Sequence, residues 1–146
     1  MTYNLMTQAD VAQVAELEKS CFSAPWSENA INGELNNPLS LWVVARLGDV
    51  VTGYVGSQSV MGEADMMNLA VRPDYRRNGI ARALVSYLID ELTKRDVHSL
   101  TLEVRASNEA AKSLYAAMGF EQVGRRPYYY YAPVEDALIL RKEWSL

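Results

Sequence analysis

The chain predicts a mixed α/β domain, and three observations carry that reading. Alternating runs occupy the first half in hairpin order, and amphipathic runs of helical spacing separate the later strands. No repeat, low-complexity tract or Gly/Ser linker interrupts the 146 residues. One domain over 1–146 is the expectation, at a size that buries a core unaided.

The elements follow in order. "TQADVAQVAELEKSCF" sets Val11, Val14, Ala15 and Leu17 at helical spacing, with Asp10 as a cap. "SAPWSENAINGELNNP" reads as a turn, a short helix capped by Ser27 and a stop at "NNP". "LWVVARLGDVVTGYVGSQSV" is a hairpin across "LGD", and "EADMMNLAVRP" a strand ended by Pro73. Residues 80–95 form a long helix with Ile80, Leu84, Leu88 and Leu92 on one stripe, and Lys94 and Arg95 at its cation-favouring end. "SLTLEVRAS" alternates Leu100, Leu102 and Val104 against Thr101, Glu103 and Arg105, a half-buried strand. "NEAAKSLYAAMGF" is a helix opened by Ser107 or Asn108 and closed by Gly119. The tail "YYYYAPVEDALILRKEW" holds a further strand or two.

Composition removes several function classes. Hydrophobic residues at 49% and charged residues at 22% are globular values. No apolar stretch approaches the ~20 residues of a membrane helix. The N-terminus lacks a basic start followed by an apolar core, so no secretory signal or membrane partner is expected. A single cysteine, Cys21, excludes an internal disulfide and suits a reducing cytoplasm. With only Cys21 and His98 as soft ligands, no metal site is expected. Cys21 reads as a small buried hydrophobe, and His98 as a surface or junction residue. A net charge of −4 without a basic stripe argues against direct nucleic-acid binding and weakly favours a cationic partner.

The stretch "VRPDYRRNGIARALVSYLIDEL" puts Arg76, Arg77, Asn78 and Gly79 at the mouth of the long helix, where basic side chains oppose the dipole. The first N–H groups of a helix have no internal partners and, with the dipole, make a phosphate site. Gly79 lets backbone approach closely, and the arginines add charge. A plain basic loop capped by water fits the same residues. No Walker loop occurs, so nucleotide hydrolysis has little support.

"RRNGIA" resembles the Gln/Arg-x-x-Gly-x-Gly/Ala signature of the GCN5-related N-acetyltransferase (GNAT) superfamily. Together, "NLAV", "LEVRASN", "LYAAMGF", "RRPYYY" and "EDALIL" resemble its RimI branch, the ribosomal-protein-alanine N-acetyltransferases. The resemblance is strongest from residue 66 onward. It implies a GNAT fold, a mostly antiparallel central sheet flanked by helices on both faces, and acetyl-CoA as cosubstrate. Arg76, Arg77, Asn78, Gly79, Ile80, Ala81 and Arg82 would then cradle its pyrophosphate. The backbone of Leu69, Ala70 and Val71 would meet the pantetheine arm and thioester oxygen. The resemblance gives Asn108 a hydrogen bond to the CoA arm, makes Glu103 the general base, and makes Tyr115 the acid that protonates the leaving thiolate. It implies a protein N-terminus as acceptor, that of a ribosomal protein, attacked directly in a ternary complex.

From the residues alone, Glu103 points away from Leu102 and Val104, and Asn108 and Tyr115 lie two helical turns apart on nearly one face. A surface glutamate and a packing tyrosine fit these positions too. Four consecutive tyrosines, Tyr128 to Tyr131, could stack nucleic acid, yet alternation sends Tyr128 and Tyr130 to one face and the others to the opposite one. The resemblance puts one or two of them, and Trp26, beside an incoming peptide. The chain departs from the family pattern at Arg76, where glutamine is common, at Ala81, where glycine is common, and at Pro127, where relatives carry a polar residue. Another amine acceptor (a lysine, a polyamine or an antibiotic) and a CoA-binding module without catalysis stay open. A monomer is expected.

Overall fold

The computed structural model describes residues 1–131 and 133–144, so Ala132, Ser145 and Leu146 of the expected 1–146 span lie outside the described residues. Along the chain run β1 (Thr2–Leu5), α1 (Val11–Cys21), α2 (Glu28–Glu34), β2 (Ser40–Leu47), β3 (Val50–Val60), β4 (Glu63–Val71), α3 (Ile80–Lys94), β5 (Ser99–Arg105), α4 (Glu109–Ala117), β6 (Glu121–Tyr130) and β7 (Glu135–Glu143). The strands join in one seven-stranded sheet of order β1-β2-β3-β4-β5-β7-β6. Every neighbouring pair is antiparallel except β4 and β5, which the α3 crossover makes parallel.

Alternation along β2 sorts the core into two layers. Leu41, Val43 and Ala45 pack into a cluster with Ile80, Leu84 and Leu88 of α3 and Tyr115 of α4. Trp42 and Val44 pack on the opposite face with Val11, Val14 and Leu17 of α1 and Ile31 of α2. Helices therefore cover both faces, as the resemblance implies. Among the described residues, no helix is long and apolar enough to cross a membrane.

Several caps follow the expected chemistry. Ser27 Oγ accepts from the Ala30 N–H at 3.1 Å, and Asn108 Oδ1 from the Ala111 N–H at 3.1 Å. Gly119, at φ +90°, closes α4. The N–H of Gly119 reaches Ala116 O at 3.0 Å and that of Phe120 reaches Tyr115 O at 2.9 Å, the paired bonds of a Schellman ending.

Other expectations need correction. Asp10 does not cap α1 through its side chain; it accepts from the Thr7 N–H at 2.8 Å and pairs with Arg46. β1 shows no two-residue exposure pattern, and its backbone pairing with β2 makes it a strand. β6 begins at Glu121, well before the tyrosines, on residues too exposed to carry a hydrophobic period. Cys21 is half-buried, its Sγ 3.8 Å from the Arg76 guanidinium. His98 is exposed at the α3–β5 junction, as read.

Two irregularities prepare the site. β4 and β5 pair only from Glu63↔Ser99 to Asp65↔Thr101, and beyond that their ladder ends. On its other edge β4 slips register: Leu69 faces Val55 but Met66 faces Ser57, so Met67 and Asn68 together oppose Gly56. That is a β-bulge, and it sits where β4 leaves β5.

Candidate functional site

At the start of α3, the first intrahelical bond runs from the Ala83 N–H to Gly79 O at 3.0 Å. The N–H groups of Ile80, Ala81 and Arg82 therefore have no partner within the helix. Gly79 is held at φ +74°, which L-residues rarely adopt, and a Cβ there meets no protein atom within 4 Å. The glycine is thus required for its conformation, and close approach comes with it. Arg77 also takes a positive φ, +65°.

Val71, Arg76, Arg77, Gly79, Ile80, Ala81 and Arg82 surround one hollow of about 210 Å³, closed by Tyr75 and by Leu114 of α4. Asn78 stays outside its wall and donates to Tyr75 O at 3.2 Å within the turn. Arg76 Nε donates to Val71 O at 3.1 Å. Among the described residues, none of Arg76, Arg77 and Arg82 forms an ion pair. Three cations without acidic partners crowd the positive end of a helix. The helix dipole and these charges together favour an anion at this place.

From this hollow the open edge of β4 leads to the fork. The Arg72 N–H bonds Thr52 O on β3 at 2.7 Å, so alternation turns Ala70 toward β3 as well. Leu69 and Val71 face the open edge instead, with the Val71 carbonyl already taken by Arg76. Ala70 is therefore corrected: its main-chain groups belong to the β3 ladder. Asn108, with Oδ1 spent on the cap of α4, keeps its Nδ2 hydrogens for a ligand.

Glu103 and Tyr115 flank the fork where β4 leaves β5, from opposite faces of the sheet. Leu102 and Val104 enter the cluster beneath α3 and α4, so Glu103 stands on the α1–α2 face. Tyr115 belongs to the α3–α4 cluster, edge-on to Phe120, and its hydroxyl reaches Met66 Sδ at 3.8 Å. Met66 lies one residue past the last β4–β5 pair, and Glu103 two residues past it. Burial pushes the Tyr115 phenol up to about 12, so it remains a proton donor. One oxygen of Glu103 lies 3.4 Å from Arg126 Nε; the other is buried without a hydrogen-bond partner.

The tyrosine hairpin departs from alternation. Tyr128 has φ +55°, and the register slips between Arg126 and Tyr130. This throws neighbours together: the Tyr129 and Tyr130 rings meet edge-on at 5.1 Å. Arg105 lies 4.3 Å over Tyr130, and Arg126 lies 5.6 Å from the Tyr129 ring. The neighbouring Glu103 carboxylate, and then burial, raise the Tyr129 hydroxyl; burial and then Glu103 push Tyr130 up to about 12. Tyr128 and Tyr131 point into solvent.

Sequence reasoning missed Glu18. It is wholly buried, receives the Tyr54 hydroxyl, and binds Asn68 Nδ2 at 2.8 Å and the Trp26 N–H at 3.1 Å. The signal was present: position 18 extends the Val11, Val14, Ala15 stripe, where a charge is out of place.

Residues 11–120 match the profile of the family described as acetyltransferase (GNAT) family. The chain is 37% identical over 141 residues to the ribosomal protein bS18-alanine N-acetyltransferase of Escherichia coli K12, covering 95% of each. An uncharacterised protein of Mycobacterium leprae is 38% identical over 144 residues, 94% of this chain, which spans only 39% of that longer protein. A crystal structure of the Escherichia coli ribosomal-protein-alanine N-acetyltransferase superposes with a TM-score of 0.90 at 36% identity, covering 99% of this chain and 94% of that one.

Proposed function

Because the chain belongs to the acetyltransferase (GNAT) family, we propose that residues 1–146 work as one acetyl-CoA-dependent N-α-acetyltransferase acting on the alanine N-terminus of a ribosomal protein. The observation that carries the reading is the fork at the end of the β4–β5 ladder, which a half-satisfied carboxylate and a buried phenol flank from opposite faces.

The donor set fits acetyl-CoA. The first-turn N–H groups of α3 and the unpaired arginines would hold the diphosphate, and the Leu69 and Val71 edge with Asn108 would hold the arm. Acetyl-CoA supplies the acyl group as a thioester. An α-amine arrives partly protonated, since its pKa is about 7.7–8.0. The open Glu103 oxygen accepts its N–H, removes the proton and frees the lone pair. As the N–C bond forms and the C–S bond breaks, charge collects on sulfur. A phenol near 12 does not surrender its proton outright to a thiolate whose acid has a pKa of about 8.5. Tyr115 instead donates a hydrogen bond that strengthens as the sulfur becomes anionic; the thiolate departs stabilised and takes its proton from water, while Tyr115 keeps its own.

The acceptor is tested with a panel of peptides differing in first residue, incubated with enzyme and acetyl-CoA and read by mass spectrometry. Acetylation of alanine-first peptides at the α-amine is expected. Preference for lysine side chains or small amines over these peptides sinks the acceptor assignment, and CoA binding without any transfer sinks the catalytic one.

A further inference from the structure

We infer that Glu18, which touches none of the reacting atoms, is a positioning residue that sets the acceptor wall against the thioester strand; the inference rests on the acetyl transfer proposed above. Packing of α1 gives no reason for a carboxylate at this place. The position lies on the apolar stripe, is wholly buried, and pairs with no Lys or Arg among the described residues. An apolar side chain there would avoid burying a charge.

What uses the carboxylate comes from three other segments. The Tyr54 hydroxyl of β3 donates to Oε2; Asn68 Nδ2 of β4 donates to Oε1 at 2.8 Å and Oε2 at 3.0 Å; the Trp26 N–H donates to Oε1 at 3.1 Å. All three donate to the carboxylate, which accepts on both oxygens at once. A glutamine would have to turn its NH2 toward at least one of them.

Two of those anchors bear on the reaction. Asn68 is half of the β4 bulge, which puts Met67 and Asn68 successively on the α1 face although alternation forbids it. The bulge precedes Leu69, whose main chain faces the open edge. Holding the Asn68 amide holds that edge in register. Trp26 belongs to the α1–α2 connection on the same sheet face as Glu103, its ring edge-on to Trp42 at 5.4 Å. One buried carboxylate thus ties the strand that would present the thioester to the wall that would present the amine. Displacements of about 1 Å in such a frame cost around 100-fold in rate.

The test is steady-state kinetics on the full chain with an alanine-first peptide, beside calorimetry of CoA binding. E18Q keeps the size of the side chain, and N68A changes a half-buried position that leaves the core intact. Each is expected to lower kcat per folded molecule at least tenfold. KM for acetyl-CoA and the CoA affinity change less than kcat, because the α3 turn that would grip the diphosphate is untouched. The E18Q/N68A double variant should fall no further than about twofold below the worse single one, since the residues act through each other. Unchanged kcat in the variants that fold overturns the inference, as does a KM for acetyl-CoA that rises in step with the loss. N68A decides alone if E18Q does not fold. Glu103→Gln separates the two layers: if it turns over like the native chain, the acetyl-transfer reading fails and takes this inference with it. A dead Glu103→Gln with E18Q and N68A at native kcat overturns the positioning role alone.

Discussion

The turn that opens α3 and the hairpin that joins β6 to β7 are both rich in arginine, but they use it oppositely. At the turn, Arg76, Arg77 and Arg82 have no acidic partners among the described residues, and the groups offered beside them are main-chain N–H. Around the hairpin every arginine is spoken for: Arg105 by Glu135 at 3.4 Å, Arg125 by Asp136 at 2.6 Å, Arg126 by Glu103 at 3.4 Å. The Tyr128 N–H and then Arg125 hold the Asp136 carboxyl below its usual range. Uncommitted charge on a backbone cradle selects an anion and tolerates side-chain exchange. Neutralised charge beneath aromatic rings selects by shape and by the few donors left over.

The largest expected effect breaks the hairpin end without touching the turn. Glu103→Gln should lower kcat by about 10²–10³-fold, the usual scale for losing a general base, while CoA affinity measured by calorimetry stays put. A parallel loss of affinity would mean that the two ends are not separable.

Next comes Tyr115, whose folded-state pKa of about 12 exceeds the ordinary 10. Its stabilising contribution is complete below pH 10 and is lost as pH climbs toward 12, by about 3 kcal/mol in all. Urea midpoints should therefore fall over that window in the native chain and fall less in Tyr115→Phe. Equal slopes would show that the phenol is not buried as drawn.

A smaller effect is expected at the turn itself. Gly79→Ala forces a side chain into positive φ, costing about 1–2 kcal/mol of stability. It should weaken CoA binding about tenfold and leave the peptide KM unchanged; a change confined to the peptide would reverse the assignment of the two ends.

The smallest effects sharpen the comparison most. Arg77 and Tyr128 both hold positive φ, +65° and +55°. Replacing either with glycine should raise stability by up to about 1 kcal/mol in thermal melts. Arg77→Gly should weaken CoA binding only, and Tyr128→Gly should affect the peptide KM only.

Local signals were enough for much of the molecule. Ser27 and Asn108 as caps, Gly119 as a helix stop, the Ile80–Leu92 stripe and the outward turn of Glu103 all depend on neighbours within a few residues. β1 and the start of β6 were not legible, because exposed strands carry no hydrophobic period and exist by pairing with a partner far along the chain. The tyrosine alternation failed for a related reason: a positive φ at Tyr128 and a register slip are backbone events that side-chain order does not encode.

By itself, then, the amino-acid order determined the positive turn that opens α3, since a glycine, a helix start and flanking arginines interact within one turn of chain. It also determined which face of β5 carries the carboxylate. Tertiary structure alone decided that Glu103 and Tyr115 flank the end of the β4–β5 ladder from opposite faces, and that Glu18 holds Tyr54, Asn68 and Trp26 together. Those contacts join segments up to 50 residues apart, and where a strand ladder ends depends on every strand paired beside it.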